Sequence, residues 1–454
     1  MVSYSVYAII VYMQLATLQR IHFIGIGGIG MSALARFFVH EGKSVSGSDR
    51  AASLITDALV GEGVRFFAAQ QAANITADID MVVYTEAMHH DHEEMVAARA
   101  LGVPMMNYFD ALGLVANEYY LIAVAGSHGK TTTTAMITDV LEEAGFDPTA
   151  IIGSLRSKTG SNFRPGKSKY AVVEACEYKR DFLSLEPDVL VITNVEYEHV
   201  DYYKDLADVQ SAFREIAGRV REGGAIIANP TDPAVAPILA TLANDGHRMI
   251  VIDYTKLIDL RLPLRQPGLH TRLDAAAATA VAGFLGIERA VSDAALEQFA
   301  GTWRRFEYKG TVRMQGQASD VPVYDDYGHH PTEIRVTMAG ARELYPNRKL
   351  IVATQTHTYS RTAELFADFA TEYAKADAVY LLPIYAAREE NVSGVTSEQL
   401  SAAIQAKGTP AAVMQTAQEI VEAIRESIDV SEPAMILIMG AGDVTAVATL
   451  LTQD

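Results

Sequence analysis

The chain has a single cysteine, Cys176, among its 454 residues. A lone thiol excludes an intramolecular disulfide and is typical of a reducing compartment, so we expect a cytoplasmic location. Basic residues are also scarce, since 37 lysines and arginines stand against 56 aspartates and glutamates, for a formal net charge of −19 at pH 7. This charge opposes nucleic-acid binding through bulk electrostatics, and no nucleic-acid partner is expected. An anionic substrate would need local hydrogen-bond donors.

An uncharged, largely apolar stretch opens the chain at residues 1–19 (MVSYSVYAIIVYMQLATLQ). It lacks the basic start and clear cleavage site of a signal peptide, and its apolar run is shorter and more interrupted than a membrane-spanning helix of about 18–20 residues. We therefore expect an N-terminal extension without stable membrane insertion. A weak membrane contact is the alternative.

A phosphate-binding loop is predicted by YYLIAVAGSHGKTTTTAMIT, residues 119–138. The segment predicts a buried strand, a tight loop and a helix that begins on four threonines. Gly126 and Gly129 let the loop turn its N–H groups inward, and the helix N-terminus adds the positive end of a dipole. Lys130 would bind the β- and γ-phosphates, and the Thr131 hydroxyl would bind Mg²⁺.

The spacing of this loop is a shortened variant, G-x-x-G-K-T. Val124 stands where the full phosphate-loop pattern has its first glycine. The alternative interpretation is an ordinary glycine-containing turn between a strand and a helix.

A second glycine-rich turn lies in RIHFIGIGGIGMSALARFFVHEG, residues 20–42. The predicted order is a strand, a turn from Gly25 to Gly30 and a helix that ends at Gly42. A second strand, from Ser44 to Ser48, follows and leads to Asp49. An acidic residue there meets a ribose hydroxyl in dinucleotide-binding folds. We predict a βαβ unit that binds a nucleotide or diphosphate; a plain tight turn is the alternative. The pattern does not identify the nucleotide.

Two phosphate sites on consecutive domains constrain the function. The length allows about three domains, and we place the first boundary near Glu118. A dehydrogenase needs one dinucleotide site and has no use for GSHGKTT. A ligase that activates a nucleotide-linked acid with ATP needs both sites.

Carboxylates and one imidazole follow two further predicted strands. Glu174 lies at the end of the strand Lys169–Ala175, and His199 follows the strand Pro187–Val195. Open α/β sheets bind ligands at such strand ends, and oxygen-rich sets suit Mg²⁺ or Mn²⁺. The alternatives are a surface acid at Glu174 and a structural histidine at His199. Cys176 is expected to pack, because no activating basic cluster surrounds it.

Taken together, HFIGIGGIGMS, AVAGSHGKTTTT, EACEY and TNVEYEHVDYY resemble the Mur ligases. Later segments agree, namely TWRRFEYKG, DDYGHHPTEI, THTYSRT, PIYAARE and MGAGD. The resemblance begins at Arg20 and continues to the C-terminus.

The resemblance implies an α/β fold of three domains after the extension 1–19. Residues 20–118 would form a Rossmann-like domain that binds the UDP-linked substrate. Residues 119–309 would form a phosphate-loop ATPase-type parallel sheet that binds ATP, and residues 310–454 a Rossmann-like domain that binds the amino acid.

The resemblance also implies the chemistry. ATP would phosphorylate the carboxylate of UDP-N-acetylmuramate, the amine of an amino acid would attack the acyl phosphate, and phosphate would leave. The protein would contribute positioning and charge neutralisation. The segments DDYGHHP and PIYAARE favour L-alanine as the amino acid, in peptidoglycan precursor synthesis. ATP and Mg²⁺ (or Mn²⁺) are the expected cofactors, and no oligomeric state is implied.

Site residues follow from the resemblance by position. The expected catalytic residues are Lys130, Glu174, His199 and Arg305. The expected ATP contacts are Gly126, Ser127, His128, Gly129, Lys130, Thr131, Thr132, His270, Asp274, Arg305 and Asp326. The expected metal ligands are Thr131, Glu174 and His199. The expected contacts to the UDP-linked substrate are Gly25, Gly27, Gly28, Gly30, Ser32 and Asp49.

The amino-acid pocket is expected at His329, His357 and Arg361. Arginine suits an amino-acid carboxylate because its guanidinium offers two parallel donors. A surface residue at a helix start is the alternative for Arg361. The histidines lack the spacing of a tetrahedral zinc site.

Three departures from the family pattern stand out. Thr358 replaces an arginine that many relatives carry, which leaves Arg361 as the only cation of its motif. Thr271 and Asp274 replace asparagines on the adenine side, so the adenine contacts stay open. Relatives insert a small antiparallel sheet at the position of residues 251–267, and this chain has only a short segment there. The short segment predicts a trimmed central domain.

Two other functions stay open. One is a ligase of the same family that recycles a tripeptide, which shares the parts of the chain that bind UDP-muramate and ATP. A non-catalytic nucleotide-binding sensor on a ligase scaffold is the alternative of another class.

Overall fold

The computed structural model describes residues 15–244, 246, 250–313, 320–387, 389–428 and 432–453. Residues 1–14 of the predicted extension and Arg388 of the PIYAARE segment lie outside these ranges. In the part of the chain that the structure describes, no helix is long and apolar enough to cross a membrane.

The strands are β1 Arg20–Ile24, β2 Ser44–Ser48, β3 Arg65–Phe67, β4 Met81–Tyr84, β5 Met105–Asn107, β6 Tyr120–Ala125, β7 Thr149–Arg156, β8 Ser161–Arg164, β9 Tyr170–Glu174, β10 Val189–Ile192, β11 Ala225–Ala228, β12 Ile250–Asp253, β13 Glu307–Val312, β14 Val321–Asp326, β15 Lys349–Thr354, β16 Ala378–Leu381, β17 Ala411–Val413 and β18 Ala434–Met439.

The α-helices are α1 Ile29–His40, α2 Leu54–Gly61, α3 Glu93–Leu101, α4 Tyr108–Ala116, α5 Lys130–Glu143, α6 Leu206–Ala217, α7 Ala236–Asn244, α8 Leu269–Phe284, α9 Arg289–Gln298, α10 Pro331–Leu344, α11 Tyr359–Glu364, α12 Phe366–Tyr373, α13 Ser397–Gln405, α14 Ala417–Ser427 and α15 Ala446–Thr452. Short 3₁₀ helices lie at Leu15–Thr17, Ala72–Asn74, Tyr178–Ser184, Tyr254–Leu257 and Asp443–Thr445.

The first sheet has the order β3-β2-β1-β4-β5, and all its pairs are parallel. Four of the five residues of β1 are buried without alternation. A continuous apolar run is expected where helices cover both faces of a parallel sheet. Because β1 lies at the centre, the glycine-rich turn that follows it lies at the carboxyl edge, where such sheets bind ligands.

The second sheet has the order β12-β11-β10-β6-β9-β7-β8. Its pairs are parallel except for the hairpin β7–β8. Strand β6 lies between β9 and β10, so the segments after all three strands meet beside the phosphate loop. The predicted strand Pro187–Val195 is shorter than expected, because Thr193 and Asn194 leave the sheet and bind that loop.

The third sheet has the order β13-β14-β18-β15-β16-β17, and only its β13–β14 pair is antiparallel within the described residues. Two apolar clusters cover its faces, one around Phe369 and Leu437 and the other around Ile436 and Val447. Three mainly parallel sheets with helices between their strands confirm the predicted α/β class.

The chain divides into two compact units. The first unit comprises residues up to Tyr197, with Asp205–Leu257 and Ala276–Leu296, and it contains the first two sheets. The second unit comprises Glu198–Lys204, Ile258–Ala275 and the chain from Glu297 onward, with the third sheet. The predicted domain boundaries near residues 118 and 309 stay predictions.

Between β12 and α8 the described residues form the 3₁₀ helix Tyr254–Leu257 and no further strand. This stretch coincides with the region 251–267, where the sequence predicts a trimmed central domain.

Gly113 allows the close approach of α4 to the 3₁₀ helix Tyr178–Ser184 in the first unit. A methyl group at Gly113 would lie 2.5 Å from the carbonyl oxygen of Ser184. Gly61, at the end of α2, has no atom within 4 Å of the corresponding position. Both glycines have a low helix propensity, but only Gly61 has room for a Cβ atom.

We expect Gly113→Ala to destabilise the protein and Gly61→Ala to stabilise it. Alanine is favoured over glycine in a helix by about 1 kcal/mol. At Gly61 this gain is unopposed, whereas at Gly113 the backbone clash outweighs it, by about 1–3 kcal/mol. Chemical denaturation of both variants measures the difference. A Gly113→Ala protein as stable as the Gly61→Ala protein would contradict the packing described above.

Candidate functional site

The phosphate loop connects β6 to α5. Gly126 has a φ of +140°, and a Cβ atom there would lie 1.9 Å from Oγ1 of Thr193, so both conformation and space require glycine. Asn194 fixes the loop with two hydrogen bonds. Its Oδ1 accepts from the His128 N–H at 2.9 Å, and its Nδ2 donates to the His128 carbonyl at 2.9 Å. The segment that follows β10 thus fixes the conformation of the loop.

Lys130, the first residue of α5, turns its ammonium group into this loop. Its Nζ donates to the carbonyls of Gly126 and Ser127 at 2.5 and 3.1 Å. It also pairs with Glu177 at 3.0 Å, and only 2% of the Glu177 side chain is exposed. We did not predict this role for Glu177 from the sequence. The signal available was its position three residues after Glu174 in EACEYK.

Thr131 and Glu174, two of the predicted metal ligands, are in direct contact. Thr131 Oγ1 donates to Glu174 Oε2 at 2.9 Å, and the Gly153 N–H donates to the same oxygen at 2.9 Å. A hydroxyl and a carboxylate in contact beside a phosphate loop are hard oxygen donors of the kind that Mg²⁺ prefers. The predicted third ligand, His199, belongs to the second unit. Its pairing with Glu174 stays a prediction.

The remaining loop residues have structural partners in the first unit. Ser127 Oγ accepts from the Glu196 N–H at 2.8 Å. The Nε2 atom of His128 lies 3.5 Å from Oε2 of Glu196. Thr132 is half-buried on α5. Their contacts with ATP stay predictions.

The glycine-rich turn after β1 is closed by Asp49. Its Oδ2 accepts from the Gly27 N–H at 2.8 Å, and its Oδ1 accepts from the Arg50 N–H at 2.7 Å. Asp49 therefore shapes the turn that contains Gly25, Gly27 and Gly28. Its contact with a ribose, and those glycines' contacts with UDP, stay predictions.

Gly30 and Ser32 lie at the start of α1 and contact other parts of the first unit. A Cβ atom at Gly30 would lie 2.6 Å from the Tyr108 ring, so only glycine fits. Ser32 is fully buried, donates to the carbonyl of Ile29 at 2.9 Å and accepts from Asn162 Nδ2 at 3.0 Å. Its predicted contact with the UDP-linked substrate stays a prediction.

A cavity of about 290 Å³ connects the glycine-rich turn to Glu174. Its lining comes from both sheets of the first unit and comprises Gly28, Ile29, Gly30, Met31, Thr85, Glu86, Tyr108, Phe109, Ile151, Ile152, Gly153, Glu174 and Cys176. Burial, with Glu177 nearby, raises the pKa of the Cys176 thiol to about 12. The thiol therefore keeps its proton at pH 7. Burial also raises the pKa of Tyr108, with Glu174 contributing, so its hydroxyl keeps its proton.

In the second unit, Asp326 organises the loop after β14. Its carboxylate accepts from the Phe306 N–H at 2.8 Å and the Gly328 N–H at 2.7 Å. Burial raises the pKa of Asp326 to about 6, and Arg305 opposes that rise. The Arg305 guanidinium lies over the Tyr327 ring, 5.3 Å from its centroid. The contacts of Asp326 and Arg305 with ATP stay predictions.

The structure places His329, His357 and Arg361 together, also in the second unit. The rings of the two histidines are 5.6 Å apart at their centroids. Arg361 Nη1 lies 3.2 Å from His357 Nδ1, and its Nη2 lies 3.3 Å from Glu198 Oε1. Because a guanidinium only donates, His357 Nδ1 accepts there and is unprotonated. Thr358, the departure noted in this motif, caps α11. We did not predict Glu198 as a partner of Arg361.

Burial lowers the pKa of both His329 and His357 to about 4. Arg361 lowers both values further, while Glu333 raises that of His329. Both rings are therefore neutral at pH 7.

The adenine-side candidates begin α8. Burial lowers the pKa of His270 to about 4. The Thr271 hydroxyl donates to the Pro267 carbonyl, four residues earlier, at 3.0 Å. Asp274 is buried one turn further along. The ATP contacts of His270 and Asp274 stay predictions.

Comparison with known proteins gives three matches to family models. They are the Mur ligase family catalytic domain over residues 20–120, the Mur ligase middle domain over residues 124–261 and the Mur ligase glutamate ligase domain over residues 304–442.

Curated relatives resemble the chain over nearly its whole length. The UDP-N-acetylmuramate–L-alanine ligase of Agathobacter rectalis is 38% identical, with 94% of this chain and 96% of that protein covered. The protein of the same name from Caldanaerobacter subterraneus subsp. tengcongensis is 36% identical, with 97% and 99% covered. The crystal structure of UDP-N-acetylmuramate–alanine ligase from Thermotoga maritima superposes with a TM-score of 0.77 at 28% identity, covering 96% of this chain and 98% of that one.

We expect the stability of the second unit to depend on pH through His329. The pKa of His329 falls from an ordinary value of 6.5 to about 4 on folding, so between these values the unfolded chain binds a proton that the folded chain does not. This histidine's contribution is therefore complete above pH 6.5 and is lost as the pH falls towards 4. The slope is about 1.4 kcal/mol per pH unit.

The variant His329→Asn removes that titration. The unfolding free energy of the unsubstituted protein minus that of the variant should decline between pH 6.5 and 4 and stay constant above pH 7.5, which is the internal control. Trp303, the only tryptophan of the chain and a residue of the second unit, provides the fluorescence signal in urea. A difference that does not change with pH would show that His329 titrates normally.

Proposed function

Because the chain belongs to the Mur ligase family, we propose that it joins L-alanine to the carboxylate of UDP-N-acetylmuramate at the expense of ATP. It is an ATP-dependent acid–amino-acid ligase of peptidoglycan synthesis. Relatives that match it from end to end are named for this reaction. The fold with three mainly parallel sheets agrees with that assignment.

The cavity between the glycine-rich turn and Glu174 is the observation that carries the proposal. Its volume of about 290 Å³ lies near the lower end of ligand pockets, about 300–1,000 Å³. One end is the turn and the start of α1, where N–H groups suit a diphosphate. The other end is Glu174, which contacts Thr131 of the phosphate loop at 2.9 Å. A nucleotide-linked acid that binds at the turn thus extends its carboxylate towards the phosphate loop.

The loop residues fit ATP and a divalent cation. Asn194 fixes the backbone of the loop, and the Lys130 ammonium lies among the loop carbonyls, where it would meet the phosphates of a bound ATP. Thr131, Glu174 and His199 would hold Mg²⁺ or Mn²⁺. The cation would neutralise charge on the phosphates and on the carboxylate that approaches them.

The reaction requires activation, because a carboxylate and an amine do not condense in water at neutral pH. A carboxylate oxygen of the muramoyl group attacks the terminal phosphorus, and the bond from that phosphorus to ADP breaks. The alanine nitrogen then attacks the acyl carbon and loses a proton, and phosphate leaves. Lys130 and Arg305 would stabilise the transferred charge, and the rest of the site holds the reactants in line.

The cluster of Arg361, His357, His329 and Glu198 suits a small zwitterion. Arg361 would bind the carboxylate of alanine, and Glu198 would attract its ammonium group. The two imidazoles are neutral at pH 7, because burial lowers the pKa of each to about 4, so they do not repel the ammonium group of alanine.

The domain assignment is part of the proposal. Residues 20–118 would bind the UDP-linked substrate, residues 119–309 ATP, and residues 310–454 the amino acid.

Phosphate release measured with purified protein, ATP and Mg²⁺ tests the function directly. We expect release only when UDP-N-acetylmuramate and L-alanine are both present. Stimulation by a tripeptide in place of L-alanine would identify the recycling ligase instead. No release with any acceptor, despite ATP binding, would identify a nucleotide-binding sensor.

Lys130→Ala should abolish turnover and leave the affinity for UDP-N-acetylmuramate near that of the unsubstituted protein. The lysine contacts the phosphate loop, whereas the UDP moiety is proposed to bind at the separate turn after β1. We expect kcat to fall by at least about 100-fold. Steady-state kinetics and calorimetric titration with UDP-N-acetylmuramate measure the two effects.

Lys167→Ala is the matched control, because Lys167 is an exposed lysine of the same unit outside the site. It should keep full activity. A large loss of affinity for the UDP-linked substrate in Lys130→Ala would overturn the assignment of two separate phosphate sites.

A further inference from the structure

A second cavity in the first unit lies between α1 and the hairpin β7–β8, with a volume of about 510 Å³. Three arginines line it, Arg36, Arg156 and Arg164, together with the hydroxyl residues Thr159 and Ser161. We propose that this cavity binds a small oxyanion, either a phosphate or a carboxylate group.

Arg156 is the strongest reason for the proposal. Only 2% of its side chain is exposed, and its Nη2 pairs with Asp139 and Glu142. Its Nε and Nη1 atoms are buried and have no hydrogen-bond acceptor in the described part of the chain. A buried donor without an acceptor costs about 1–3 kcal/mol, and more when it is charged. An oxyanion in the cavity would supply the missing acceptors.

The other two arginines are held in place by paired carboxylates. Arg36 Nε donates to Glu62 at 2.8 Å, and its Nη1 donates to Asn162. Arg164 Nε donates to Glu142 at 2.7 Å. These pairs orient the guanidinium groups at no entropic cost to a ligand, which favours binding.

The same carboxylates limit the charge that the cavity accepts. Glu62, itself part of the lining, pairs with Arg36, while Glu142 pairs with both other arginines. Asp147 also pairs with Arg164, so carboxylates balance the charge of the arginines before any anion binds. We therefore infer an anion of one or two charges rather than a polyphosphate. Burial raises the pKa of Asp139, and Arg156 opposes that rise.

The cavity is separate from the proposed ligase site. It shares no lining residue with the cavity at Glu174. It borders the C-terminal half of α1, whereas the glycine-rich turn lies before the N-terminal end of that helix. An anion there would join α1 to the hairpin next to the existing Asn162–Ser32 hydrogen bond. The inference does not rest on the proposed function.

The expected effect is a rise in the unfolding temperature with anion concentration. The experiment uses the full chain with Lys130→Ala, which weakens phosphate binding at the phosphate loop. Phosphate replaces chloride stepwise at constant ionic strength, and the unfolding temperature is measured at each step. We expect the rise to saturate. Acetate in place of phosphate distinguishes a carboxylate ligand from a phosphate ligand.

Substitutions at Thr159, an exposed residue of the lining, identify the site. Thr159→Glu places a carboxylate in the cavity, and Thr159→Gln is the control of equal size without charge. The half-saturating phosphate concentration should increase by at least about tenfold in Thr159→Glu relative to Thr159→Gln. Thr159→Glu should also be the more stable of the two in chloride alone.

Anomalous diffraction from crystals soaked in selenate supplies the second readout. We expect a selenium peak in the cavity within hydrogen-bond distance of Arg156, and none there in Thr159→Glu. Equal responses of the two Thr159 variants, or selenate only at other surface positions, would mean an adventitious ion only and would overturn the proposal.

Discussion

The hydrogen bond between Thr131 and Glu174 is the contact on which the first unit's chemistry depends. It joins the start of the phosphate-loop helix to the end of the neighbouring strand β9, at 2.9 Å. The same carboxylate oxygen accepts from Gly153 on β7 and lines the cavity that reaches the glycine-rich turn. A partly buried carboxylate is stable only with such donors. Those donors in turn fix the loop, the strand ends and the cavity relative to one another.

Local hydrogen-bond donors, rather than the overall charge of the chain, would bind the anionic substrates. The chain carries a net charge of −19, yet two of its proposed substrates, ATP and UDP-N-acetylmuramate, are anions. The phosphate loop concentrates backbone N–H groups, a helix N-terminus and Lys130 in one place. Glu177 keeps the lysine ammonium in the loop. In the cavity between α1 and the hairpin, paired carboxylates likewise orient the arginines.

The proposed amino-acid site in the second unit depends on neutrality more than on charge. Burial lowers the pKa of His329 and His357 to about 4, so at pH 7 each imidazole is neutral and lines the proposed site with hydrogen-bonding groups. Arg361 and Glu198, next to these rings, form an ion pair whose charges cancel. A small zwitterion fits such a site because it presents one charge of each sign.

The sequence alone determined the fold class and the location of both glycine-rich turns, because those features depend on local order: a buried strand, glycines at fixed spacing and a helix start. It also identified the motifs of a known family, which the comparisons confirm. Only the tertiary structure decided which strand ends meet. The strand order places Glu177 on Lys130, Asn194 on the loop and Tyr108 against Gly30, across separations that no local pattern encodes. The shortening of β10 has the same origin: Thr193 and Asn194 bind the loop at the point where the apolar pattern would continue the strand, because buried polar groups are satisfied in three dimensions rather than along the chain.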